Sequence, residues 1–167
     1  HNNCRALVPG DRQYSDEQIR LVAERRGIVC VALDAWMLYE GWVRGRTNPD
    51  VLSLKDVADQ IEHIIETTGS IDHVGIGSDL DGGFGNEQTP GDCRSIAALQ
   101  GLGSHLLDRG LSNQEVDAVL HGNLVRFLEL HLPAGDRGRS GVCSSIRNVA
   151  ISMRNIYMQH LHATKEK

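Results

Sequence analysis

Ile28-Val29-Cys30-Val31-Ala32-Leu33 and His73-Val74-Gly75-Ile76-Gly77-Ser78 are two short runs that read as strands, and the segment between them constrains the fold most. The first is a continuous apolar run, the form of a parallel strand buried on both faces. Between the runs, Ser53 stands where it can cap a helix whose Val57, Ile61, Ile64 and Ile65 make one apolar stripe, ending at Gly69. Parallel neighbours need a crossover of about a dozen residues or more, usually helical, and this segment supplies one. The glycines of the second run make a poor surface strand but suit a place where backbones or ligands approach closely.

The flanking segments extend the pattern. Ser15-Asp16-Glu17-Gln18 has capping-box spacing, and Ile19, Val22 and Ala23 follow at helical intervals until Gly27, which predicts a helix over 16–26. Residues 95–109 carry helix-like apolar spacing despite Gly101 and Gly103, and Ser112-Asn113-Gln114-Glu115 opens another helix. Gly122-Asn123 reads as a break into a last helix through Leu132. Helix, strand, helix, strand, helix, helix is the order of successive βα units, so the fold class is α/β with a parallel sheet or barrel. Two strands cannot close a barrel of eight.

Pro133-Ala134-Gly135-Asp136-Arg137-Gly138-Arg139-Ser140-Gly141 is linker-like, which divides the chain into a body, 1–132, and a tail, 133–167. Residues 146–162 suit a marginal amphipathic helix or disorder about equally. The tail holds six of the 17 basic and two of the 22 acidic residues, leaving 11 against 20 in the body. A net charge of -5 argues against a nucleic-acid footprint and favours a small-molecule partner. No apolar run approaches the ~20 residues that span a bilayer. Cys4, Cys30, Cys93 and Cys143 lack C-x-x-C spacing and suit reduced thiols, which leans the expectation to a reducing, cytoplasmic compartment. The chain starts at His1, without an initiator Met and inside a motif, so its true start is expected upstream.

Asp79 follows directly on the second strand, where its carboxylate would project from the C-terminal edge of the sheet. Two readings stand there side by side: a catalytic or metal-binding carboxylate, or a cap of the following turn together with Asp81. An EF-hand alignment through Gly82 fails, because it sets Gly77 and Gln88 where Asp and Glu are required. Gly75-x-Gly77 lacks the third glycine of a dinucleotide fingerprint, Leu80 standing there. Arg12, in the turn Pro9-Gly10-Asp11-Arg12, could clamp a substrate carboxylate, whereas most surface arginines merely solvate a face. His1 taken alone reads as structural rather than as a ligand. None of the histidines has the H-x-x-x-H spacing of a helix-borne zinc pair.

Taken in order, His1-Asn2-Asn3-Cys4-Arg5-Ala6-Leu7 with Pro9-Gly10-Asp11-Arg12, then residues 73–83, then Gly122-Asn123-Leu124-Val125-Arg126 resemble the membrane (renal) dipeptidase family of binuclear zinc hydrolases. The resemblance covers 1–132 and leaves the tail unmatched. It implies the C-terminal part of a metal-dependent hydrolase (β/α)8 barrel, incomplete in this chain. It also implies a zinc dipeptidase that hydrolyses small dipeptides. His1 matches a ligand of one of two Zn2+ ions, Arg12 the residue that contacts the substrate's terminal carboxylate, and Asp79 the proton acceptor and donor beside a metal-bridging water. Two zinc ions can acidify such a water and polarise the peptide carbonyl while a carboxylate shuttles the proton.

The departures are specific. The family's His-x-Asp pair, bridging Glu and further metal-site His are expected upstream of His1, so this chain alone should bind zinc poorly. Where many relatives carry an Asn-Phe-Tyr type segment, this sequence has Ala32-Leu33-Asp34, which leaves substrate preference open. Two alternatives remain: a non-catalytic barrel remnant that persists by association, including as a homo-oligomer, and a related metal-dependent amidohydrolase or lactonase.

Overall fold

The computed structural model describes residues 1–80 and 82–132; the expected linker and tail lie outside the described residues. Helix α1 (Asp16–Glu24) opens on the capping box, Gln18 N donating to Ser15 Oγ at 3.3 Å and Ser15 N to Gln18 Oε1 at 2.9 Å. It ends short of the expected Arg26, which takes a left-handed φ of 57° and turns the chain towards the first strand.

Strand β1 (Val29–Val31) pairs in parallel with β2 (Val74–Ile76), setting Val29 against Val74, Cys30 against Gly75 and Val31 against Ile76. Both strands are shorter than the apolar runs that predicted them. The ladder nevertheless continues past their ends, with Gly77 N donating to Val31 O and Leu33 N to Ser78 O, each at 3.0 Å.

Helix α2 (Leu54–Thr68) makes the crossover. Ser53 caps it, Ser53 N donates to Asp56 Oδ2 at 2.8 Å, and Gly69 closes it at φ 68°. The helix packs on both strands and lies against α1 and α3 (Gly101–Asp108). Its Val57, Ala58, Ile61 and Ile64 are fully buried in a core with Val31, Leu33 and Val74. Burying each of the larger of these side chains is worth about 1.5–3 kcal/mol before conformational entropy is counted.

Residues 95–109 begin as a 3-10 turn, Ile96–Gln100, before α3 forms. Arg109, at the end of α3, ties back to Asp59 and Glu62 on α2. Gly122-Asn123 is not a break. Helix α4 (Asn113–Asp117) passes through one π turn, Ala118–Gly122, directly into α5 (Asn123–His131). Asn123 is fully buried, and its Nδ2 donates to Ile71 O at 2.7 Å and Val74 O at 2.9 Å, anchoring this helical run beside β2.

Candidate active site

The first residues lie alongside β1, and Cys4 forms an isolated parallel bridge with Tyr14. Asn2 N donates to Cys30 O at 3.0 Å. Buried Asn3 uses its side-chain amide as a peptide substitute, accepting from Ala32 N at 2.9 Å and donating to Ala32 O at 3.1 Å. These bonds hold His1 against the sheet. An atom built as Cβ on Gly77 would lie 2.9 Å from His1 Cδ2 and 2.8 Å from Cys30 Cβ, so glycine here is what admits the imidazole.

Asp79 ends the β2 ladder at φ 61°, a left-handed conformation uncommon for a residue with a side chain. Gly82 N donates to its carbonyl at 2.8 Å, so the main chain of Asp79 opens a turn. Its carboxylate reaches the N-terminal segment: Oδ1 lies 3.3 Å from His1 Nδ1. The structure therefore brings two of the three expected site residues together, both partly exposed, with 49% and 26% of their side-chain surfaces open. Local backbone strain of this kind is concentrated at functional sites.

Arg12 is placed apart from that pair. It is exposed, on the turn before α1, and joins no ion pair among the described residues. The turn is nonetheless tied to the same rim of the sheet. Gln13 Nε2 donates to Met37 O at 2.9 Å, and Asn3 Nδ2 donates to that same carbonyl at 3.1 Å. Met37 belongs to the connection that leaves β1.

Asp34 is a residue that reading the site from sequence missed. It follows its strand run just as Asp79 follows the other, and that shared strand-end position was the available signal. Asp34 is 8% exposed, and both carboxylate oxygens are occupied: Trp36 Nε1 donates to Oδ2 and Gln88 Nε2 to Oδ1, each at 2.7 Å. Burial pushes its carboxyl pKa above the usual range, the two donors pull it back, and the nearby charge of Asp79 adds to the rise. Beyond Asp79, a cavity of about 470 Å³ opens among Ser78, Leu80, Phe84, Asn86, Arg94 and Ile96. That volume lies within the range of small-molecule sites.

A metal would find His1 Nδ1 and the Asp79 carboxylate, an imidazole and an oxygen donor of the kinds zinc accepts. Among the described residues no three His, Cys, Asp or Glu side chains converge to hold a metal ion.

The model of the membrane dipeptidases, peptidase family M19, matches residues 1–132. The chain belongs to this family. Dipeptidase aclJ of Aspergillus oryzae is 33% identical over 128 residues, which are 77% of this chain and 28% of that protein. Dipeptidase tcpJ of Claviceps purpurea is 27% identical over the same shares of each. The crystal structure of a metallopeptidase from Rhodobacter sphaeroides, liganded with a phosphinate mimic of the dipeptide L-Ala-D-Ala, is similar with a TM-score of 0.66 and 28% identity. That similarity covers 77% of this chain and 34% of the other. The chain thus spans roughly a third or less of these relatives. Its homologues and structural neighbours are metallo-dipeptidases, which makes the family's chemistry hydrolytic and metal-dependent.

Proposed function

We propose that residues 1–132 form the C-terminal portion of a (β/α)8 barrel that hydrolyses small dipeptides with two zinc ions, and that Asp79 is its proton-transfer residue. The observation that carries this reading is the 3.3 Å approach of Asp79 Oδ1 to His1 Nδ1 at the end of a parallel strand. When bound, the zinc ions would acidify the attacking water and polarise the scissile carbonyl. His1 would supply one imidazole ligand, and the remaining ligands would come from outside the described residues.

Asp79 would accept the proton of the attacking water and return it to the departing amine, the two halves of general acid–base catalysis. Arg12 would hold the terminal carboxylate through a paired guanidinium contact, so that attack proceeds on an already oriented substrate. The cavity beside Asp79 offers room for a dipeptide side chain between apolar Leu80, Phe84 and Ile96.

The deciding experiment measures amino-acid release from dipeptides by the protein carrying this segment together with the barrel portion its relatives possess. Asp79→Asn should lower kcat by about 10²–10⁴-fold with KM little changed. An unchanged kcat in that variant removes Asp79 from the mechanism.

A further inference from the structure

Arg5 is bonded to the turn that carries Arg12. Its Nε donates to Gly10 O at 3.0 Å, and its Nη2 donates to Asp11 O at 3.2 Å and Gln13 O at 2.7 Å. These carbonyls flank Arg12 on both sides. Gln13 N closes the turn onto Gly10 O at 3.1 Å. The Gln13 side chain, 1% exposed, is held at both ends, accepting from Asn3 N at 3.3 Å and donating to Met37 O. The turn is therefore fixed at residues 10, 11 and 13, while the side chain of residue 12 stays exposed and free of any ion pair among the described residues.

The charge balance is as telling as the geometry. Arg5 and Arg12 put two guanidinium groups on one turn, and no carboxylate among the described residues pairs with either, that of neighbouring Asp11 included. An arginine that served only stability would gain as much from an acidic partner. One that bonds carbonyls keeps its positive charge uncompensated, available to an incoming anion. A guanidinium held on a rigid turn also loses less freedom when it captures a carboxylate.

We propose that Arg5 is a positioning residue for substrate recognition: it fixes the turn at residues 10–13 so that Arg12 is preorganised for a ligand's terminal carboxylate, and its own charge strengthens the field there. This inference rests on the carboxylate-binding reading of Arg12 given above. It predicts selectivity for ligands that end in a free carboxylate over the corresponding amides.

The test compares alanyl-alanine with alanyl-alaninamide in the protein that carries the whole barrel, by steady-state kinetics and by calorimetric binding after metal removal. Arg5→Gln should raise KM for the free acid about tenfold while kcat stays within about threefold, so the acid-to-amide ratio of kcat/KM falls about tenfold. Arg5→Lys, which keeps the charge and loses the fork, should recover part of that ratio. In an Arg12→Gln background the Arg5→Gln change should lose most of its effect, leaving only the small share due to its own charge, because it acts chiefly through Arg12. Equal losses on acid and amide, or additive losses in the double variant, would show Arg5 to be merely structural and overturn the proposal, as would equal binding of acid and amide by the unaltered protein. If no dipeptide is hydrolysed but the binding preference exists and disappears in Arg5→Gln, the dipeptidase reading fails and the role of Arg5 stands.

Discussion

Asp34 lies at the same step of the parallel ladder as Asp79: the register that sets Val31 against Ile76 and joins Leu33 to Ser78 carries forward to this pair of acids. The Trp36 and Gln88 donors hold Asp34 in place beside that like charge, and Gln88 comes from the loop that Asp79 begins. The Asp34–Gln88 bond therefore joins the loops leaving the two strands.

Asp34 should reveal itself in the pH dependence of stability. Its carboxyl is raised by burial, so the folded protein keeps this proton to higher pH than the unfolded chain does. Stability contributed by this group is then lost as pH rises through the interval between the ordinary carboxylate value and the raised one, and regained as pH falls. Glu87 and Glu115, both exposed, are lowered by hydrogen bonds and work in the opposite direction. The difference between wild type and Asp34→Asn isolates the buried group. Urea unfolding from pH 4 to 7 should show the variant gaining on wild type as pH rises; parallel curves would mean that Asp34 pays no burial penalty.

Gly77 and Gly75 offer a paired steric test. A Cβ at Gly75 would find Cys30 Sγ at 3.4 Å and Ile28 Cγ2 at 3.5 Å, which is ordinary contact or close to it. At Gly77 it would come within 2.8 Å of Cys30 Cβ and 2.9 Å of His1 Cδ2. Gly77→Ala should therefore cost about 1–3 kcal/mol and displace the imidazole, whereas Gly75→Ala should cost less than about 1 kcal/mol. Denaturant midpoints at constant m-value decide it, and equal costs at the two positions would refute the close approach of His1 to the sheet.

The elements legible in the sequence are those whose cause is local. Ser15, Ser53 and Ser112 each lie within three residues of the groups that complete their caps, and all three helices start where the capping boxes place them. The place of Asp79 just beyond a strand was legible because the run that forms the strand immediately precedes it. Gly122-Asn123 misled because glycine costs a helix about 1 kcal/mol in isolation. Here the two bonds from Asn123 to Ile71 and Val74 hold the run, and a π turn accommodates it. Asn3, Gln13 and Arg5 were invisible for a related reason: what each does depends on which backbone carbonyls the fold brings to it.

The buried thiols supply the last prediction. Desolvation raises Cys4 to about 12 and Cys93 to about 11, with the charges of Asp16 and Asp92 adding to the respective shifts. Unfolded thiols ionise near 9, so the folded state alone retains these protons above that pH. Stability should consequently fall as pH rises from 9 towards 11, by about 1.4 kcal/mol per pH unit for each such thiol. Cys93→Ala should flatten that fall by about one thiol's share, and Cys4→Ala should do the same. At pH 8, a thiol reagent should leave both residues unmodified until denaturant is added, because the thiolate is the reacting form and both side chains are buried. An unchanged alkaline slope in the Cys4→Ala, Cys93→Ala double variant would assign the loss of stability to other groups.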